Sequence, residues 1–306
     1  MSMRFDGRVA IVTGAGAGLG RAHALALGAR GAKVVVNDFG GGVDGTGSSS
    51  GPAEKVAQEI RDAGGEAIAH GADVTNTEHV GRMVETAVGA WGRVDILINN
   101  AGILRDASFA KMDLGDFRKV LDVHLMGAVV CTKAVWDTMR AAQYGRILMT
   151  TSSSGLYGNF GQSNYGAAKM ALIGLMNVLQ IEGEKNNIRI NALAPGAATR
   201  MTEALLPPAA IGLMNPEAVS PAALYLVSEN APRRTILCAT AGGFSRTIIH
   251  ETEGVFLSEE IRTPEEVEAR FAAISDEAGQ HIYTDGGGQV LKFVGKAAAA
   301  AGVKLG

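Results

Sequence analysis

The run SNYGAAK places Tyr165 four residues ahead of Lys169, just after TTSSSGLYGNFGQ, a segment rich in hydroxyls and glycine. On a helix these two side chains share a face, one turn apart. Reducing a carbonyl requires a proton as hydride arrives, and oxidising an alcohol requires one to leave, so a positioned acid/base is needed. A free phenol, with its pKa near 10, is too weak, and lowering it by two to three units takes roughly 3 to 4 kcal/mol of differential stabilisation. A neighbouring ammonium contributes charge of the right sign. The Tyr-x-x-x-Lys spacing alone arises readily by chance in a chain with five tyrosines, so the surrounding elements decide its meaning.

Short β-branched runs, RVAIVT, KVVVND, EAIAHGAD, VDILINN, GRILMTTS and IRINALA, alternate with alanine-rich stretches of helical period. This rhythm predicts an α/β protein with a doubly wound parallel sheet, helices on both faces and right-handed crossovers. A seventh strand is expected near TILCATAG. The glycine-rich stretch Gly40 to Pro52 is read as a mobile loop between the second strand and its helix, not as a domain linker. Residues 1–250 are expected to form one domain. Residues 251–306 are read as a C-terminal helical extension packed on the core or on a partner subunit. There, TPEEVEARFAAI offers Thr263 as N-cap, Pro264 at N1 and Glu266 as the closing residue of a capping box. Val267, Phe271 and Ile274 recur on one face of that helix.

Between the first strand and the first helix stands TGAGAGLGR, in which Gly14, Gly18 and Gly20 form a relative of the dinucleotide-binding turn. Glycines let backbone approach a pyrophosphate, and the opening helix presents unpaired N–H groups to it. Thr13, Gly14, Gly18, Leu19 and Gly20 are therefore candidate cofactor contacts. Asp38 ends the second strand, eighteen residues after Gly20. A carboxylate there accepts bonds from an adenosine ribose and repels a 2′-phosphate, so NAD is expected in preference to NADP. Asp73 and Val74, at the end of the third strand, are placed beside the adenine. Asn99, Ala101 and Gly102 of NNAG close the fourth strand, where ligands sit in open α/β sheets. With an oxidised nicotinamide near the phenol, its positive ring joins Lys169 in favouring phenolate.

The 306-residue chain carries a formal net charge of −3 and no long basic stripe, so neither nucleic acid nor an anionic membrane is expected as a partner. No apolar run reaches spanning length, and MSMRFDGRVAIVTG is read as entering a strand, so a cytoplasmic location is expected. Cys131 and Cys238 lack C-x-x-C spacing and are read as small core residues. The six histidines are scattered, and no metal site is expected.

TGAGAGLG, NNAG, a serine, YGAAK and APG (Ala194 to Gly196) follow one another in the order seen in the short-chain dehydrogenase/reductase family, which the chain resembles from Arg4 to about Gly243. The resemblance implies a single Rossmann-like domain with a parallel sheet of about seven strands. It gives Tyr165 the role of catalytic acid/base. Lys169 would lower the tyrosine's pKa and hold the nicotinamide ribose, and Ser152 would position the substrate oxygen. Ser152 is preferred to Ser153 and Ser154 because it leaves twelve residues before Tyr165, the family spacing. Pro195, Gly196 and Thr199 are implied along the cofactor, Thr199 at its carboxamide, and Asn99 in support of cofactor and sheet. One position departs from the pattern: VHL replaces VNL and puts His124 where the family often carries a catalytic asparagine. Its backbone carbonyl is expected to hold a water, with a directly catalytic imidazole as the alternative.

Longer stretches, among them VVVNDFGG, NNAGILRDASF and APGAATRMTEALLP, resemble the (3R)-hydroxyacyl-CoA dehydrogenase part of type 2 peroxisomal multifunctional enzymes. This implies NAD-dependent interconversion of a (3R)-3-hydroxyacyl-CoA and its 3-oxoacyl-CoA, in a homodimer or homotetramer. The segment from Thr199 to Pro216 offers Met201, Leu205, Leu206, Ile211, Leu213 and Met214 either as a cover for an acyl chain or as a helix packing its own apolar face. Arg105, Arg200 and Arg246 are candidates for the phosphates of a coenzyme A handle. Two other functions are considered: a 3-oxoacyl-thioester or hydroxysteroid/ketone reductase, and a nucleotide-binding sensor or scaffold. The intact Ser152, Tyr165 and Lys169 argue against the last.

Overall fold

A computed structural model describes residues 2–47, 49, 51–199 and 208–305. Arg200, Met201, Leu205 and Leu206 lie outside the described residues. The chain divides into two compact units, Met1–Thr247 and Ile248–Gly306.

The first unit is built on the strands β1 (Val9–Thr13), β2 (Lys33–Asn37), β3 (Glu66–His70), β4 (Ile96–Asn99), β5 (Gly145–Thr150), β6 (Ile188–Gly196), β7 (Ile236–Thr240) and β8 (Gly243–Thr247). They form one sheet in the order β3-β2-β1-β4-β5-β6-β7-β8. The first seven pair in parallel, as the rhythm of apolar runs predicts. The eighth is antiparallel to β7 and was not foreseen. Ala241 and Gly242, with φ of 49° and 79°, supply the left-handed pair of a two-residue hairpin turn that brings it back.

Successive strand residues point to opposite faces, and both faces are buried. In β1, Ala10 and Val12 pack with Leu27 of α1 (Gly18–Gly28), Val56 and Ile60 of α2 (Gly51–Asp62) and Leu226 of a later helix. Val9 and Ile11 pack on the other side with Met83 of α3 (Thr77–Trp91) and with residues that follow α4 (Leu114–Leu121). These are Val135 of α5 (Gly127–Ala141) and, beyond α6 (Ser153–Tyr157), Leu172 of α7 (Ser163–Gly183). Burying each such side chain is worth about 1.5 to 3 kcal/mol, which explains why the strands read as continuous apolar runs. After α8 (Pro208–Ile211), α9 (Ser220–Leu226) closes the face shared with α1.

Two expectations are corrected. The glycine-rich stretch is not loop throughout, because α2 starts at Gly51 with Pro52 in its first turn. Residues 42–46 also form a turn of their own, Gly42 N–H donating to the Thr46 carbonyl at 2.7 Å. Cys131 is buried on α5, but Cys238 on β7 is only half-buried, its Sγ 3.2 Å from Thr247 Oγ1 of the edge strand.

The second unit contains α10 (Pro264–Ala269), α11 (Phe271–Ile274) and α12 (Gly286–Ala301). Thr263 caps α10 as its spacing predicts, accepting from Glu266 N–H at 3.2 Å. The Glu266 carboxylate does not return to the cap; it accepts from Arg270 Nε at 2.9 Å. The helix ends at Arg270 (φ −101°, ψ 8°), so Val267 and Phe271 do not continue one helical face. Glu253 pairs with His281 and Lys296, contacts that hold its carboxyl at about 2. Among the described residues, no helix is long and apolar enough to cross a membrane.

Candidate active site

Strand order reverses direction between β1 and β4, and a crevice opens outside the carboxyl ends of the strands there, as expected of such a switch point. Gly14, Gly18, Leu19, Asp38, Asp73, Val74, Ala101, Gly102 and Thr199 all line it. Gly14 has φ +63°, and a Cβ there would stand 2.8 Å from Ala101 Cα, so only glycine lets the two turns meet. The α1 N-terminus follows with no side-chain cap and no acidic residue in its first turn. Its N–H groups and positive dipole end are therefore open to an anion.

Asp38 is held rather than free. Oδ2 accepts from Gly16 N–H and Oδ1 from Gly40 N–H, each at 2.7 Å, so the carboxylate faces the crevice in a fixed pose. Asp73 accepts from Thr75 N–H at 2.9 Å and Oγ1 at 2.8 Å, which shapes the turn that presents Val74.

Other candidates build the crevice without lining it. Thr13 Oγ1 accepts from Asn100 and Ala101 N–H at 3.0 and 3.1 Å and pins the end of β4 to β1. Gly20 packs α1 onto the turn, since a Cβ would come within 2.2 Å of the Gly14 carbonyl oxygen. Asn99 donates to Thr132 Oγ1 of α5 at 3.1 Å. Pro195 and Gly196 pair with Ala239 and Thr240 at the end of β7. Asn100 was missed in the sequence. Its Nδ2 donates to the Thr13 and Gly14 carbonyls, both at 3.0 Å, and it lines the crevice.

A narrower cavity adjoins the crevice, sharing Val74 and Ala101 with it, and is also lined by Thr13, Asn99, His124 and Lys169. Tyr165 packs against the His124 ring that lines it, and Ser152 is hydrogen-bonded to Tyr165. Ser152 caps α6, accepting from Ser154 N–H at 3.1 Å, which fixes its hydroxyl at the end of β5. Tyr165 and Lys169 lie on α7, with Nζ 5.4 Å from the phenol ring centroid. That ammonium donates to the Thr150 carbonyl at 2.6 Å.

The electrostatics differ from the simplest expectation. Burial raises the Tyr165 pKa above its ordinary value, a hydrogen bond from the Ser152 side works against this, and the Asp106 carboxylate adds to it. Lys169 does not offset the burial, because desolvation brings its own pKa down to about 7. A lysine adjacent in sequence pattern is thus a weaker charge than its type implies, once it is fully enclosed.

His124 sits in a π-helical turn, Asp122–Met126, between α4 and α5. Its ring meets Tyr165 edge-on at 5.1 Å between centroids. Nε2 is 2.8 Å from the Ile103 carbonyl oxygen and 3.1 Å from Ile103 N. Desolvation, then the Lys169 charge, holds its pKa well below the ordinary value, so the imidazole is neutral. A Cβ on Gly102 would fall 2.2 Å from His124 Cε1, so the ring fills the space that this glycine leaves. Of the candidates for a phosphate-bearing handle, Arg105 is paired with Asp116, and Arg246 lies exposed on β8. Ile211 and Met214 are half-buried, and Leu213 is exposed.

Over residues 8–208 the chain matches the profile of the family described as short chain dehydrogenase. It is 46% identical over 275 residues to peroxisomal multifunctional enzyme A of Dictyostelium discoideum, covering 90% of this chain and 61% of that one. It is 50% identical over 252 residues to peroxisomal multifunctional enzyme type 2 of Drosophila melanogaster, covering 82% of this chain and 42% of that one. The chain therefore spans less than two thirds of these relatives. A short-chain type dehydrogenase/reductase of Mycobacterium tuberculosis is 45% identical over 276 residues, 90% of this chain and 96% of its own length. Among solved structures, the full-length Drosophila melanogaster type 2 enzyme aligns with a TM-score of 0.79 at 37% identity, over 96% of this chain and 50% of that chain. A 7α-hydroxysteroid dehydrogenase complexed with NADH and 7-oxo glycochenodeoxycholic acid aligns with a TM-score of 0.70 at 30% identity, over 78% of this chain and 95% of that chain.

Proposed function

We propose, from the premise that this chain belongs to the short-chain dehydrogenase family, that it is an NAD-dependent oxidoreductase interconverting a (3R)-3-hydroxyacyl-CoA and its 3-oxoacyl-CoA. The observation that carries the reading is the adjacency of two sites. A crevice with a glycine turn, an open helix N-terminus and a fixed Asp38 adjoins the cavity beside Ser152, Tyr165 and Lys169. The acyl-CoA class rests on the likeness to the multifunctional enzymes, and a homodimer or homotetramer belongs to the same reading.

The residues fit a nicotinamide dinucleotide: a side chain at Gly14 would meet Ala101 and one at Gly20 the Gly14 carbonyl, so glycine alone lets the turn close, and the uncapped start of α1 and Asp38 face the same crevice. When bound, that group supplies a hydride acceptor or donor and, in oxidised form, a positive ring. The open N–H groups of α1 would hold the pyrophosphate, and Asp38 the adenosine ribose, while the carboxylate disfavours a 2′-phosphate. In alcohol oxidation the Tyr165 Oη takes the proton of the substrate hydroxyl, and in ketone reduction it returns one. Ser152 holds the reacting oxygen within reach. Lys169 lends charge to the phenol to the extent that it stays protonated. His124, neutral and bonded to the Ile103 backbone, shapes the cavity rather than transferring protons.

Nicotinamide absorbance followed with (3R)- and (3S)-3-hydroxyacyl-CoA esters, hydroxysteroids and simple alcohols tests the reading. The (3R)-thioester is expected to give the highest kcat/KM, with NAD favoured over NADP. A higher value with a steroid or with the (3S)-ester would reject the substrate class, and equal affinity for the two dinucleotides would reject the role of Asp38.

A further inference from the structure

Arg105 carries no free charge for a ligand phosphate, because two other groups engage it. Its guanidinium pairs with Asp116 on α4, and its Nε donates to the Asp44 carbonyl at 2.9 Å. Asp44 belongs to the glycine-rich stretch after β2. Its carboxylate accepts from Thr46 N–H at 3.1 Å and Oγ1 at 2.8 Å, which closes the turn of residues 42–46. Next to this latch, Leu104 N–H donates to the Val43 carbonyl at 3.0 Å. Gly40, Gly41, Gly42, Val43 and Gly45 form one wall of the dinucleotide crevice, with Ile103 on the other. The walls meet at Gly45, φ +81°, where a Cβ would approach Ile103 Cγ2 to 3.2 Å.

The same short segment grips the catalytic helix from its other side. The Arg105 carbonyl accepts from Asn164 Nδ2 at 2.8 Å, and Asn164 Oδ1 accepts from Tyr165 N–H at 2.7 Å. Asp106 accepts from Gln162 Nε2 at 2.7 Å, and Ala107 N–H donates to the Gly161 carbonyl at 3.0 Å. Ile103 bonds to His124, whose ring abuts Tyr165.

We propose that Arg105 is a positioning residue: it latches the glycine-rich strap of residues 40–47 across the dinucleotide crevice and ties that closure to the helix that carries Tyr165. A strap this rich in glycine loses much conformational freedom when it orders, so it needs fixed anchors. Arg105 provides a charged anchor through Asp116 and a directed one through its single Nε–H bond to the Asp44 carbonyl, and a lysine can replace the first but cannot hold both at once as the planar guanidinium does. The proposal rests on the dinucleotide reading above.

The test uses the full chain carrying Arg105→Met, Arg105→Lys or Asp116→Asn. Arg105→Met is expected to speed NAD dissociation, followed by fluorescence, by about tenfold, the equivalent of about 1.4 kcal/mol. The KM for NAD rises by a similar factor while kcat falls less, and Arg105→Lys recovers part of the loss. Without dinucleotide, amide hydrogen exchange at Gly42 and Leu104 rises in Arg105→Met while the β1 amides stay protected. Asp116→Asn gives the same pattern more weakly and serves if Arg105→Met does not fold. Unchanged dissociation and unchanged exchange in a folded variant overturn the proposal, as does a lower melting temperature with neither readout moved. If the unmodified chain binds no dinucleotide, the reading beneath falls instead, and the exchange measurement still decides whether Arg105 is a latch.

Discussion

Burial acts on Tyr165 and Lys169 in the same sense, pushing each towards its neutral form. The Ser152 hydrogen bond is the opposing influence on the phenol within the chain, and the lysine keeps only part of its charge at neutral pH. Tyr165→Phe retains the ring and its packing on His124 but removes the transferable proton. Turnover is expected to fall by about 10² to 10⁴-fold, with NAD affinity by calorimetry changed less than about twofold. A rate near that of the unmodified chain would remove Tyr165 from the mechanism. On the proposed function, Lys169 is expected to trade stability for activity. Its enclosed ammonium is costly to bury, and Lys169→Met relieves that cost while leaving the Thr150 carbonyl without its donor. A net gain of about 1 to 2 kcal/mol in urea denaturation at pH 7 is expected, together with loss of turnover. A variant less stable than the unmodified chain would contradict this account of the lysine.

The glycine turn between β1 and α1 is governed by how closely it approaches the end of β4. Gly14→Ala forces a β-carbon into a left-handed φ of +63° and against Ala101 Cα. A loss of about 1 to 3 kcal/mol is expected, with NAD binding weakened more than the melting temperature alone accounts for. Intact NAD affinity in a destabilised variant would assign Gly14 to folding only. This turn was readable in the sequence because its requirements are local: a strand, glycines at fixed offsets and a helix. The parallel strands were readable for a similar reason, since burial on both faces leaves continuous apolar runs. The strap was not. Arg105 meets Asp44 across sixty-one residues and Asp116 across eleven, and nothing in either local pattern marks the pair. Asn100 also escaped notice, because its bonds to Thr13 and Gly14 appear only when β1 and β4 lie side by side. The π-turn at His124 likewise depends on tertiary packing, where a neutral ring is lodged over Gly102.

Across the whole molecule, the enclosed bases set how stability varies with pH. His23 on α1 is fully buried, its Nδ1 2.9 Å from Ser220 Oγ on α9, and desolvation lowers its pKa from 6.5 to about 4. His124 shifts in the same direction. A base whose folded pKa is lowered binds fewer protons folded than unfolded between the two values, so stability rises with pH across that window. For His23 the window runs from about 4 to 6.5, and the full change is worth about 3 kcal/mol at about 1.4 kcal/mol per unit. The His23 contribution is therefore complete above pH 6.5 and is lost as pH falls towards 4, with His124 adding to the loss. Lys169 extends the rise upwards from about pH 7. From about pH 9 the sign is opposed: the Cys131 thiol, raised from 9.0 to about 12, and the raised Tyr165 phenol ionise first in the unfolded chain. Urea unfolding at intervals from pH 4.5 to 9 is thus expected to show stability climbing through the acid range and levelling near pH 9. His23→Gln, which keeps a partner for Ser220 but cannot take up a proton, should flatten the acid limb between pH 4.5 and 6.5. If the variant retains the full slope there, the histidine between α1 and α9 is not the group whose protonation opens the fold.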